Sequence, residues 1–211
     1  MENYINIKDK KIILTEEQAE AIVSALKELS AAVGPKTKLS EFAPGAVVKI
    51  GDVEMVVLEQ MDGQTAMICR DFFGEKSAFN AENNNYKDSF VDCICETFAD
   101  QLAAAVGAGN IVEHNVDLTT LDGLKEYGFV SRRASLLNLN RYHQYVDILD
   151  QHKQDDWWWM ATATSTKWHE NDRWALCVSP SGGISIVYCN FGYGVRPFCI
   201  LKSDIFVSFE E

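Results

Sequence analysis

The chain has 211 residues, 47% of them hydrophobic, and a formal net charge of −12. That length suits one domain with a small appendage, and the apolar fraction excludes wholesale disorder. The negative charge repels phosphate backbones and anionic lipid, so neither nucleic acid nor a membrane surface is an expected partner. The basic clusters are small: Lys8, Lys10 and Lys11, then Arg132 and Arg133. The polar start, Met1-Glu2-Asn3-Tyr4, does not read as a secretory signal. No apolar run approaches membrane-spanning length, so cytoplasmic synthesis without membrane insertion is expected. The six cysteines, Cys69, Cys93, Cys95, Cys177, Cys189 and Cys199, match neither a zinc spacing nor Cys-x-x-Cys. Buried reduced thiols are expected, with no metal and no cofactor.

Tyr4 to Leu14 reads as a strand pair around the polar Lys8-Asp9-Lys10. Thr15, with Gln18 three residues on, forms a capping box for a helix to Ser30. Ala19, Ile22, Val23, Leu26 and Leu29 fall at spacings of three and four, a narrow apolar stripe. The stripe suits either docking on the main domain or homo-oligomerisation through the helix. Gly34-Pro35 marks the boundary, giving an appendage at 1–38 and a main domain at 39–211.

The main domain opens with an antiparallel meander. Val47–Ile50, Val53–Leu58 and Ala66–Cys69 are its strands, with turns at Gly51-Asp52 and Asp62-Gly63. A polar loop with Asn83-Asn84-Asn85 leads to Ser89, which caps a helix to Val106. Its expected buried face is Phe90, Ile94, Phe98 and Leu102, with Val91, Cys95 and Val106 beside it, and Gly107 ends it. His114 reads as a structural or surface histidine in an extended segment. Asn138 caps a further helix carrying Leu139, Tyr142, Val146 and Leu149.

All five tryptophans lie between Trp157 and Trp174. Strands are expected at Ala175–Val178, Ile184–Tyr188, Val195–Leu201 and Ile205–Val207, with Val195–Leu201 pairing next after Ile184–Tyr188. No catalytic motif appears: there is no Gly-x-Ser-x-Gly elbow, phosphate-binding glycine loop or His-Glu-x-x-His. His169-Glu170-Asn171-Asp172 offers too few oxygens for calcium and reads as a solvated loop. Asp155 and Asp156 are adjacent, so an extended chain points them to opposite faces. Between Gly183 and Gly194 lie Ser185, Tyr188, Asn190, Phe191 and Tyr193, residue types that recognition surfaces favour.

Asp156-Trp157-Trp158-Trp159, Ala161-Thr162, Arg173 to Pro180 with Gly182-Gly183, and Gly194-Val195-Arg196-Pro197-Phe198-Cys199-Ile200 together resemble an uncharacterised domain family of Firmicutes and their phages. That family carries a Trp-Trp-Leu-Arg motif and ends on Gly-Val-Arg-Pro; the resemblance covers roughly residues 40 to 208. This chain has Met160-Ala161 where many members have Leu-Arg. The family is similar to the C-type lectin-like fold of the variable proteins of diversity-generating retroelements. The resemblance implies an α+β, C-type lectin-like domain of antiparallel strands with two helices, behind a short strand and helix appendage. It implies a non-enzymatic, receptor-binding module, from a gut bacterium or its phage and possible on a virion, for an unknown protein or glycan ligand. The implied ligand-facing residues are Thr164, Ser165, Trp168, His169, Asn171, Ser185, Tyr188, Asn190, Phe191 and Tyr193. The implied frame is Trp157, Trp158, Trp159, Trp174, Gly194, Arg196 and Pro197. Two other readings stand beside it. One is a structural phage or cell-surface component without a ligand. The other is a relative of the formylglycine-generating oxidases, with Cys189 and Cys199 as the candidate pair.

Overall fold

Two glycines in the left-handed region, Gly51 at φ +60° and Gly63 at φ +69°, close the hairpins of the central meander. The structure is a computed structural model describing residues 4–7, 10–33, 36–167 and 172–208. The chain divides into two units, Met1–Lys36 and Thr37–Glu211.

In the first unit, β1 (Tyr4–Ile7) pairs antiparallel with β2 (Lys10–Ile13), Tyr4 opposite Ile13. Helix α1 (Glu16–Val33) runs three residues past its expected end. The Thr15 amide donates to Gln18 Oε1 at 3.0 Å and the Gln18 amide donates to Thr15 Oγ1 at 3.3 Å, the expected capping box. Ala19 and Ile22 are half-buried and Val23 is exposed. The side chains of Leu26 and Leu29 lie outside the described residues.

From the boundary onward come β3 (Lys36–Lys38), β4 (Val47–Ile50), β5 (Val53–Met61) and β6 (Gln64–Cys69), then α2 (Phe90–Val106). Short strands follow: β7 (Ile111–Val112), β8 (His114–Asp117), β9 (Phe129–Arg132) and β10 (Ala134–Ser135). Helices α3 (Leu139–Gln144) and α4 (Val146–Leu149) precede β11 (Trp158–Ala163), β12 (Trp174–Val178), β13 (Ile184–Tyr188), β14 (Phe198–Lys202) and β15 (Phe206–Ser208). The fold is α+β, built on antiparallel sheets. The largest sheet has the order β10-β14-β6-β5-β4-β15-β3, with β7 beside β14; β11-β12-β13 form a second sheet, and β8-β9 a third.

Strand β14 does not follow β13 as its neighbour. It inserts between β6 and β10, with Phe198 opposite Ile68 and Cys199 opposite Met67. Both faces of this strand are apolar: Phe198 joins the core with Tyr142, Tyr145 and Trp158, while Cys199 joins the core under α2. Such a strand belongs in a sheet covered on both sides. Helix α2 is capped as expected, the Asp92 amide donating to Ser89 Oγ at 3.2 Å. Its buried face is rotated from expectation: Val91, Cys95, Phe98, Ala99 and Leu102 are buried and Phe90 is exposed. That face packs mainly on β10, and Asp92 is buried on it in an ion pair with Arg132 of β9 at 2.7 Å. Asn138 caps α3 by accepting from the Arg141 amide at 3.0 Å.

Candidate functional site

Strand β11 is buried along its whole length. Trp158 and Met160 point into one core, Trp159 and Ala161 into the other, so no polar residue interrupts the strand until Thr162. Met160 and Ala161 are therefore apolar core positions. The buried guanidinium beside this strand is that of Arg196. It is 1% exposed, donates from Nε to the Cys69 carbonyl at 2.7 Å, and lies over the Trp158 ring at 5.6 Å. Burial holds it down to about 10.

Residues Tyr193 to Pro197 are laced between two segments. Tyr193 and Ser77 exchange backbone hydrogen bonds at 2.9 and 3.0 Å. The Gly194 amide donates to Trp157 O at 2.9 Å, and the Trp159 amide donates to Gly194 O at 3.0 Å. The Phe73 amide donates to Val195 O, and the Cys69 amide to Pro197 O. Gly194 is required by close approach: a Cβ there would lie 2.6 Å from the Phe72 ring.

On this frame stands a row of rings. Phe79 packs edge-on against the buried Trp159 at 5.4 Å; Trp159 meets Tyr193 at 5.0 Å; Tyr193 meets Phe191 at 6.3 Å. Phe191, at the outer end, is 53% exposed. A second pair stands on the face of β12 and β13 that carries Leu176 and Val178, opposite to that of Cys177 and Trp159: Trp174 meets Tyr188 edge-on at 5.4 Å, and Arg173 Nη1 donates to the Tyr188 hydroxyl at 3.0 Å. Trp174, expected in the frame, is 40% exposed. Asn190 is exposed, and Ser185 is half-buried opposite Cys177.

The other expected ligand-facing residues divide differently. Trp168, His169 and Asn171 lie outside the described residues. Thr164 and Ser165 are buried and face inward. Thr164 Oγ1 donates to Trp174 O at 2.9 Å, and Ser165 Oγ donates to Asp122 Oδ2 at 2.6 Å. They close a polar seam, so they are framework and do not present to solvent.

The hub of that seam is Asn84, which sequence reasoning places in a polar loop. It is 0% exposed. Its Nδ2 donates to Ser165 O at 3.0 Å and Trp174 O at 2.8 Å, and its Oδ1 accepts from the Tyr127 hydroxyl at 2.8 Å. The signal in Asn83-Asn84-Asn85 is a turn: Asn83 Oδ1 accepts from the Asn85 amide and Asn85 Oδ1 from the Lys87 amide. That chemistry leaves Asn84, between them, to point inward.

Two clefts lie elsewhere. One of about 590 Å3 is lined by Gln60, Gln64 and Lys202; another, of about 440 Å3, lies beside Cys69 and Phe73. Neither of these two is lined by Tyr188–Gly194, and Asn190 and Phe191 are exposed. Cys189 and Cys199 are buried, on different strand systems, and burial raises each thiol to about 12. Among the described residues no group of His, Cys, Asp and Glu is placed to hold a metal, and no helix is long and apolar enough to cross a membrane. Comparison with protein-family models, curated proteins and solved structures finds no match.

Proposed function

We propose that the second unit is a recognition module of C-type lectin-like type, binding a protein or glycan through Trp174, Tyr188, Asn190, Phe191 and Tyr193. The observation that carries this reading is Phe191, 53% exposed at the end of a ring row rooted in the fully buried Trp159. Large exposed rings on a rigid base give contact area at low entropic cost. Exposed side chains such as Asn190 and Phe191 suit a macromolecular or glycan ligand better than an enclosed small molecule. The role is display, not catalysis, and in the diversity-generating form the loop residues vary while Gly194 and Arg196 stay.

Two tests bear on it. Wild type and Phe191→Ala/Asn190→Ala are applied to an array of bacterial surface glycans and purified surface proteins. Expected is binding by wild type, lost in the variant at an unchanged melting temperature; binding that survives both changes refutes the face. For diversification, the DNA beside the gene is sequenced. A second copy of the segment encoding Trp157 to Pro197, differing only at adenines and next to a reverse transcriptase, supports it; its absence leaves a fixed binding surface.

A further inference from the structure

Strand β13 is the outer strand of β11-β12-β13. Its register with β12 decides which backbone groups are free. The Cys189 amide donates to Arg173 O at 2.9 Å and the Ser179 amide to Gly183 O at 2.8 Å. In an antiparallel ladder such bonded pairs alternate, so Ser185 and Val187 bond inward to β12. The amides and carbonyls of Ile184, Ile186 and Tyr188 point away from it; of these the Tyr188 carbonyl already accepts one bond, from the Phe191 amide at 3.1 Å, and keeps its second lone pair. The same three side chains share one face with Val178, Leu176 and Trp174, their partners on β12. Ile184 is 38% and Ile186 48% exposed, beside the 40% exposed Trp174.

Proteins guard such an edge with charge, brevity or cover. The edge strand β3 carries Lys36 and Lys38, and β10 is two residues long. From Ser179 to Tyr188 there is no Asp, Glu, Lys, Arg or His. In a chain of net charge −12, this is a stretch where two copies approach without like charges meeting.

We propose that β13 pairs with β13 of a second copy, antiparallel about a two-fold axis at Ile186. In that register Ile186 faces Ile186 of the other copy and Ile184 faces its Tyr188. Outward-bonding residues then lie opposite outward-bonding residues, which narrow hydrogen-bonded pairs require. The apolar row becomes continuous across the axis, with aromatic and β-branched residues paired. The three-stranded sheet becomes six-stranded, and the two Phe191 loops lie at opposite ends of the seam. This pairing rests on the strand register and not on the ligand reading above, with which it shares Tyr188.

The test is sedimentation equilibrium of the full chain from about 1 to about 300 µM, the range for a small interface. Expected is a rise from 23.7 kDa toward twice that mass. Association strengthens with added salt, because screening reduces the repulsion between two negative copies. Ile186→Lys weakens association at least about tenfold, since it sets two lysines against each other. Its melting temperature stays that of wild type. As an independent readout, Ile186→Cys on a Cys93→Ser background forms an intermolecular disulfide on mild oxidation, whereas Ser181→Cys does not. A monomer at every concentration overturns the proposal. So does a dimer that survives Ile186→Lys, or one lost only when Ile22 in α1 becomes Glu.

Discussion

The Trp157 indole stacks on the Tyr193 ring, with centroids 5.7 Å apart and planes 19° from parallel. Tyr193 thereby has rings on three sides, Trp157, Trp159 and Phe191, and is tied by its backbone to Ser77. It joins core to surface, and burial raises its hydroxyl above the ordinary value. Alanine at the three positions of this row therefore gives graded losses. Phe191→Ala costs under about 0.5 kcal/mol, as exposed side chains do. Tyr193→Ala costs about 1–3 kcal/mol and Trp159→Ala about 3–5 kcal/mol. Chemical denaturation measures all three; equal losses at Phe191 and Trp159 would show that the outer ring is core.

Asn84 is the polar counterpart of that row. Asn84→Ala removes two donors and an acceptor from a buried site, leaving Ser165 O, Trp174 O and the Tyr127 hydroxyl to lose a partner. The expected loss is about 2–4 kcal/mol. Asn84→Asp is no rescue, because it cannot donate to the two carbonyls. Hydrogen exchange at the Thr164 amide, which donates to Trp174 O, should accelerate in both variants.

Gly194→Ala puts a methyl 2.6 Å from the Phe72 ring. The half-buried ring has to move, at about 1–3 kcal/mol. In the double variant with Phe72→Ala the clash is gone. The two changes together should cost less than the sum of the separate losses, and a double-mutant cycle reads that coupling directly. Strict additivity would mean that the loop backbone, not the ring, yields.

His114 gives stability a pH dependence. Burial, then Arg141, holds its imidazole down to about 3, while Nε2 shares a hydrogen bond with Ser135 Oγ at 2.9 Å. Unfolded, the ring titrates near 6.5. Between those values the unfolded chain binds the extra proton, so stability rises with pH and is lost as pH falls from about 6.5 toward about 3. The contribution is on the order of a few kcal/mol across that window. His114→Gln should flatten the slope of melting temperature against pH between about 6.5 and 4.5. An unchanged slope would assign the dependence to carboxylates.

What the sequence determined by itself is local. The Thr15–Gln18 box, the Ser89 and Asn138 caps and the Gly51 and Gly63 turns are hydrogen bonds or dihedral preferences spanning three or four residues, so the residues in hand suffice to place them. The aromatic content of the C-terminal region was legible for the same reason. Which rings go inside was not: Trp159 is fully buried and Trp174 is 40% exposed, because burial depends on what arrives from elsewhere in the chain. Tertiary structure alone inserted β14 beside β6, pairing Phe198 with Ile68, 130 positions apart in the sequence. It turned Thr164 and Ser165 inward to Trp174 and Asp122, and brought Asn84 under both. A side chain's alternation along a strand says that it has two faces; only the partner strand and the layer above decide which of them meets water.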